Sequence, residues 1–416
     1  MTHTLPLSAR TDVAQDFPVS ALPIAEQFVV LVGESRWSSR LDDIAQRVSS
    51  ARRCGAVFKQ RHALERAIDR MRGKDGDAAL VAGSVAEARL QAILAEMVVA
   101  AARLSAAGRA RLQARLEAAL SGDGRLVDLL HVFRTAALQR ARGFDIGYAG
   151  FEEGTPYDLL LSREGSVVEC VCHTLSAEAG RDIHRLAWAS LCDEVEARLK
   201  PWIVERPGRY LLKMNLARGL RDGEVKVASA MQGRVCALLE NGERIDQDEA
   251  AVLRIEPLVL GAGTVPTTEG LMAGLRAEFG PEAHFSVTAS GESLWAMAAR
   301  AGRRNDIAGL MRAELADLVP ARVSGQRPAI LALFVEDMDR AEWRGLMESL
   351  ELEGAARQYM TLEDAAPVVA VTCYSRMEMF GLSGPDAAAE GELRFRNPAH
   401  PSAKDPAIAA AIQSSL

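Results

Sequence analysis

From Arg36 to Arg142 the chain runs without a single proline, and directly after that stretch its texture switches from helical to strand-like. This switch constrains the fold more than any other feature. Before it, Ala, Leu and Arg dominate. Between Glu87 and Leu120 apolar residues recur at three- and four-residue spacing, with Arg109, Arg111 and Arg115 between them, which predicts amphipathic helix. Ser-Gly-Asp-Gly at 121–124 breaks the pattern. A further helix is expected over Leu126–Arg142, with Gly143 as its C-terminal cap.

After the switch, 144–151, 156–163 and 166–174 read as three short strands, separated by Glu-Glu-Gly-Thr-Pro and Glu-Gly, a spacing that suits two successive hairpins. Ser176 can cap a helix whose stripe comprises Ile183, Leu186, Ala187, Leu191, Val195 and Leu199. Pro201 and Pro207-Gly208 mark its end. The next strand, 209–216, is expected to lie parallel to the third, because a helix joining two adjacent strands makes a crossover. Beyond it a helix is predicted near 224–240, a strand over 250–260 and a Gly/Thr/Pro loop over 261–268. A second α/β run follows, with strands at 328–337 and 367–375 around a helix carrying Trp343, Leu346 and Leu350.

A chain of 416 residues exceeds one ordinary hydrophobic core. The expected division is a helical N-terminal region (1–124), a central domain (125–275) and a C-terminal α/β domain (276–416). No apolar run is long enough for a membrane span, and the first twenty residues do not read as a secretory signal, so a cytoplasmic location is expected. The six cysteines are too sparse for a disulfide framework. Charge is uneven: residues 1–143 carry a net +6 and the remainder −13, for a total of −7. That asymmetry suits either a phosphate-binding flank on an acidic body or solvated faces of Arg-rich helices.

Two carboxylates carry the chemistry. Asp158 sits in Pro156-Tyr157-Asp158 at the second strand, and Glu169 lies eleven residues later inside the third. On adjacent hairpin strands two such groups can share one divalent cation, with water and phosphate oxygens completing the shell. The plainer alternative for Glu169 is a structural ion pair with Arg181 or Arg185, since an unpaired carboxylate in an apolar strand is costly. A zinc site at Cys170, Cys172 and His173, with His184 and Cys192 on the next helix, is disfavoured, because Cys-x-Cys in a strand has the wrong spacing and faces away from His173. Glu336-Asp337, ending a later strand, reads as a solvated charged loop.

The order helix–β–β–β–α–β, with Pro-x-Asp on one strand and a glutamate on the next, resembles the PD-(D/E)XK, restriction-endonuclease-like nuclease superfamily over residues 125–217. The resemblance implies a mixed α/β fold with a central mixed sheet flanked by helices. It implies Asp158 and Glu169 as ligands of Mg²⁺ or Mn²⁺, DNA as partner, and phosphodiester hydrolysis in prokaryotic defence or DNA processing. The superfamily's lysine two residues after the glutamate is here Val171. His173, one pleat further on, or Lys213, on the strand expected alongside, would have to replace it. Arg181 and Arg185, early in the crossover helix, would meet phosphate. The missing lysine equally fits a catalytically inactive nuclease fold that binds nucleic acid or a protein partner, and the helical N-terminal region could serve as an oligomerisation module.

Overall fold

The computed structural model describes residues 22–49, 52–73, 85–259, 268–338, 340–375 and 392–413. The described residues of the proline-free stretch are largely helical, as the periodicity predicts. They form α2 (Glu34–Ser49), α3 (Arg52–Arg61), α4 (Ala63–Met71), α5 (Val85–Arg103), α6 (Ala106–Leu120) and α7 (Leu126–Ala141), preceded by α1 (Ile24–Val32). Ser105 caps α6 by accepting from the Gly108 amide. The Ser-Gly-Asp-Gly break is held by a buried cation: Arg40 of α2 donates to the Gly122 and Gly124 carbonyls at 2.7 and 2.6 Å and pairs with buried Glu65 at 3.3 Å.

The strands follow as β1 (Asp145–Gly147), a short helix α8 (Ala149–Glu152), β2 (Leu159–Arg163) and β3 (Ser166–Ser176). The first predicted strand is therefore cut to three residues. Its second half turns helical because Tyr148 and Phe151 fold back onto Phe133 of α7, with Phe133 and Phe151 stacked at 5.8 Å between centroids. The β2–β3 turn is Glu164-Gly165, both at positive φ (49° and 84°), the two-residue turn that matches the twist of a hairpin.

From there the chain leaves this sheet. It forms α9 (Arg185–Glu205), β4 (Arg209–Leu216), α10 (Val225–Asn241), β5 (Ile245–Gln247), β6 (Ala251–Pro257), α11 (Thr268–Phe279), β7 (His284–Ser290) and β8 (Ser293–Ala301). These five strands make a separate mixed sheet, ordered β5-β6-β4-β8-β7. The chain returns through α12 (Ile307–Arg322), β9 (Ala329–Glu336), α13 (Arg340–Glu348), α14 (Glu351–Tyr359), β10 (Val368–Ser375) and β11 (Leu393–Arg396). The first sheet is ordered β1-β2-β3-β9-β10-β11, with β3, β9 and β10 mutually parallel.

The strand lying parallel to β3 is thus β9, not the expected 209–216. The physical reason lies in burial. Every residue of β9 and of β10 is buried, as befits parallel strands covered on both faces. In β4, by contrast, Lys213 and Asn215 keep one face polar. The two sheets also cross the expected 275/276 boundary, since β3 pairs with β9 and β4 with β8. The excursion closes on itself where the Asp306 amide donates to the Gly180 carbonyl at 2.9 Å.

In the first sheet Leu159, Leu161, Val168, Cys170 and Phe334 pack against α1, α5 and α7, while Val171, Leu175, Leu333 and Val335 pack against α12 and α14. Cys170 and Cys172 are buried and free. No helix among the described residues is long and apolar enough to cross a membrane.

Beneath α7, His131 is fully buried, with its Nε2 2.9 Å from the Tyr374 hydroxyl, which also meets Thr135 at 2.8 Å. Burial, then the neighbouring Arg134 and His173 charges, hold the imidazole well below its usual range, so it is neutral in the fold. The unfolded chain protonates near the ordinary value of about 6.5. Stability contributed by neutral His131 is therefore complete above that pH and falls below it by up to ~1.4 kcal/mol per pH unit. Urea unfolding of wild type and His131→Gln from pH 7.5 to 5 should show a shallower acid loss in the variant.

Two glycines test the packing. A Cβ on Gly150 of α8 would meet the Tyr157 carbonyl at 2.9 Å and Asp158 Cα at 3.1 Å, whereas one on Gly233 of α10 meets nothing within 4 Å. Gly150→Ala should lower stability by ~1–3 kcal/mol through overpacking. Gly233→Ala, in an exposed helix interior, should raise it by ~0.5–1 kcal/mol. Urea midpoints measure both.

Candidate functional site

Asp158 immediately precedes β2. Its amide donates to the Cys170 carbonyl at 3.1 Å, and its Oδ2 accepts from the Cys172 amide at 2.8 Å. The side chain thus takes the ladder bond that a longer β2 would have made. The β2–β3 pairing ends at Leu159–Cys170, leaving the edge of β3 beyond it without a strand neighbour among the described residues.

Two arginines from opposite layers meet on this carboxylate. Arg115 of α6 bonds Oδ1 at 3.0 Å and lies over the Phe151 ring. Arg322, the last residue of α12, bonds Oδ2 at 2.8 Å and also donates to the Pro156 carbonyl. Asp158 is only 2% exposed, and its two oxygens are taken up by two guanidinium groups and an amide.

Glu169 sits between strands on both sides, opposite Leu160 and Ala329, and is fully buried. Its Oε2 accepts from the Ser324 amide at 3.0 Å, its Oε1 accepts from the Ser324 hydroxyl, and Arg327 stands 3.7 Å away. One loop, Arg322–Arg327, therefore holds both carboxylates.

This donor set does not suit a divalent cation. A cation needs free carboxylate oxygens, and here they face guanidinium or N–H and O–H donors. Among the described residues no group of three or more His, Cys, Asp and Glu has an arrangement that could hold a metal. The ion-pair alternative for Glu169 describes it better, although its partners are Ser324 and Arg327 rather than Arg181 or Arg185.

Of the remaining expected residues only His173 stays near Asp158, on the wall of the same cavity. His173 is half-buried and bonds Glu314 of α12 at 3.1 Å. Lys213 lies in the second sheet, paired with Glu256 at 2.9 Å and Glu278 at 3.2 Å, so it does not stand beside β3. Arg181 is 3% exposed and bonds Glu178 and Glu342, and Arg185 shares both partners. These two arginines tie the start of α9 to α13 instead of facing solvent phosphate. Glu336, expected in a solvated loop, is buried and paired with Arg125 at 3.3 Å.

Two cavities flank the open edge of β3. One, of about 420 Å³, is lined by Arg115, Arg125, Asp158, His173, Thr174 and Arg322. The buried Thr174 hydroxyl on its wall has no hydrogen-bond partner. The other, of about 210 Å³, lies at the carboxyl ends of β3 and β9, where Arg47, Arg61 and Arg125 surround Ser176 and Asp337. Such strand ends are where α/β sheets commonly hold ligands. Sequence reasoning missed Arg115, Arg125, Arg322, Ser324 and Arg327. The only local signal was Arg-Val-Ser-Gly-Gln-Arg directly before a predicted strand.

No protein-family model matches the chain, and no curated protein or solved structure shows a significant match.

The two descriptions of Asp158 predict opposite signs. As the centre of an ion-pair cluster, its replacement in Asp158→Asn should cost ~1–3 kcal/mol, discounted because Arg115 and Arg322 are partly exposed. In a metal-free cation site, removing one of two repelling carboxylates would stabilise the protein instead. Urea unfolding in EDTA separates the two.

Proposed function

We propose that this chain is a non-catalytic, nuclease-like protein that binds nucleic acid through the arginine-lined edge of its first sheet. The observation that carries this reading is the double guanidinium clamp on Asp158, where a catalytic member would hold a cation. The order α7–β1–β2–β3, followed after the excursion by α12 and a strand parallel to β3, supports a restriction-endonuclease-like core. Val171 in place of the motif lysine, and Lys213 bound elsewhere, support loss of catalysis. Arg115, Arg125 and Arg322 in one cavity, with Arg47 and Arg61 in the next, supply the guanidinium chemistry that suits phosphate.

The test is incubation of supercoiled plasmid and single-stranded DNA with Mg²⁺ or Mn²⁺, beside filter-binding at two salt concentrations. The expected outcome is no cleavage, with binding that weakens steeply with salt and weakens further in Arg125→Ala. Metal-dependent cleavage that disappears in EDTA and in Glu169→Ala would restore the catalytic reading. Neither cleavage nor binding would remove the nucleic-acid role.

A further inference from the structure

A second cavity system lies away from Asp158, between the two sheets' flanking helices. It is a groove of about 650 Å³ along β7, the edge strand of the second sheet, with α9 and α11 on its sides and α3 across it. Its floor is apolar: Trp188, Met272, Phe285 and Val287. Trp188 is pinned, since its indole N–H donates to the Phe285 carbonyl at 3.3 Å.

The rim carries surplus positive charge. Glu196 is shared by Arg52 at 3.4 Å, Lys200 at 2.9 Å and Arg53, three cations on one carboxylate. Asp193 is consumed by the first amides of α3, Arg53 and Cys54 at 2.9 and 3.0 Å, and by the Arg53 guanidinium at 3.1 Å. Arg185 and Arg181 are balanced by Glu178 and Glu342. Arg276 of α11 is exposed and makes no ion pair with any described residue. Arg52 has a side chain 76% exposed, so it too is free to turn toward a ligand. Glu282 is the one acidic lining residue outside these pairs.

An apolar aromatic floor beneath under-compensated arginines suits a planar group that carries a negative charge. We infer that this groove binds a nucleoside phosphate, with the base against Phe285 and Met272 and the phosphate on Arg276 and Arg52. The ligand comes either as a free nucleotide or as one residue of a single strand. The inference stands independently of the Asp158 site, because the groove shares none of its residues. An acidic peptide added along β7 is the rival occupant, and it uses the arginines without the aromatic floor.

The test uses the full chain and three probes: thymidine monophosphate, an oligothymidylate octamer carrying 5-iodouracil, and a glutamate-rich octapeptide. Ultraviolet cross-linking of the octamer, mapped by mass spectrometry, should label the segments around Trp188 or Phe285. Arg276→Ala and Arg52→Ala should each weaken nucleotide or octamer binding by about three- to tenfold, the range for losing one charge-assisted contact at a partly exposed site. Both side chains lie outside the core, so the variants fold. Competition by the free nucleotide at equal concentration identifies it as the natural form, and preference for the octamer identifies a strand. Cross-links confined to other segments, unchanged binding in Arg276→Ala, or binding of the peptide alone would each overturn the inference. Unchanged binding in Arg125→Ala, with the cross-link still at Phe285, would weaken the Asp158-edge reading without touching this one.

Discussion

The loop from Arg322 to Arg327 is the interaction on which the central sheet depends. In six residues it ends α12, delivers a guanidinium to Asp158, an amide and a hydroxyl to Glu169, and then starts β9 beside β3. A buried carboxylate without partners is expensive, so β2, β3 and β9 can share a sheet only if something of this kind satisfies Asp158 and Glu169. Arg115 completes the arrangement from the opposite layer, so one carboxylate links the helices on both faces of the sheet.

The same economy explains the basic N-terminal region. Its arginines are spent largely inside the protein. Arg40 holds a loop, Arg72 pairs with Glu26 and Glu34, Arg140 with Glu96, and Arg142 with Glu392. Arg111 donates to the Phe151 and Glu152 carbonyls beside α8. A guanidinium with its planar fork can satisfy several acceptors at once, which suits it to joining one helix or loop to another here. Net charge along the sequence therefore exaggerates the basic surface available to a partner. What faces the cavities is local: Arg115, Arg125 and Arg322 at the β3 edge, each already paired with a carboxylate, and Arg52 and Arg276 over the β7 groove.

Much of the local structure was legible in the residues. The proline-free periodicity marks α2 to α7, Glu164-Gly165 marks the β2–β3 turn, and the unbroken apolar runs mark β9 and β10. Asp158 and Glu169 were legible as the unusual carboxylates of the core. Their partners were not, because Arg322, Ser324 and Arg327 lie more than 150 residues away and resemble any polar loop.

Sequence alone determined many of the helices and strands, since periodicity and turn chemistry act within a few residues, but not the helical turn at 149–152, which packing on Phe133 decides. It also determined that two acidic groups, Glu169 within an apolar strand and Asp158 at the start of another, would need compensation. Only the tertiary structure decided which strand lies beside β3. Strands 209–216 and 329–336 both follow a helix, and the choice between them turns on whether both faces can be buried, which depends on α7, α12 and α14 together. Tertiary structure likewise decided that guanidinium groups, brought from α6 and from the end of α12, stand at Asp158, because no spacing rule links residues so far apart in the chain.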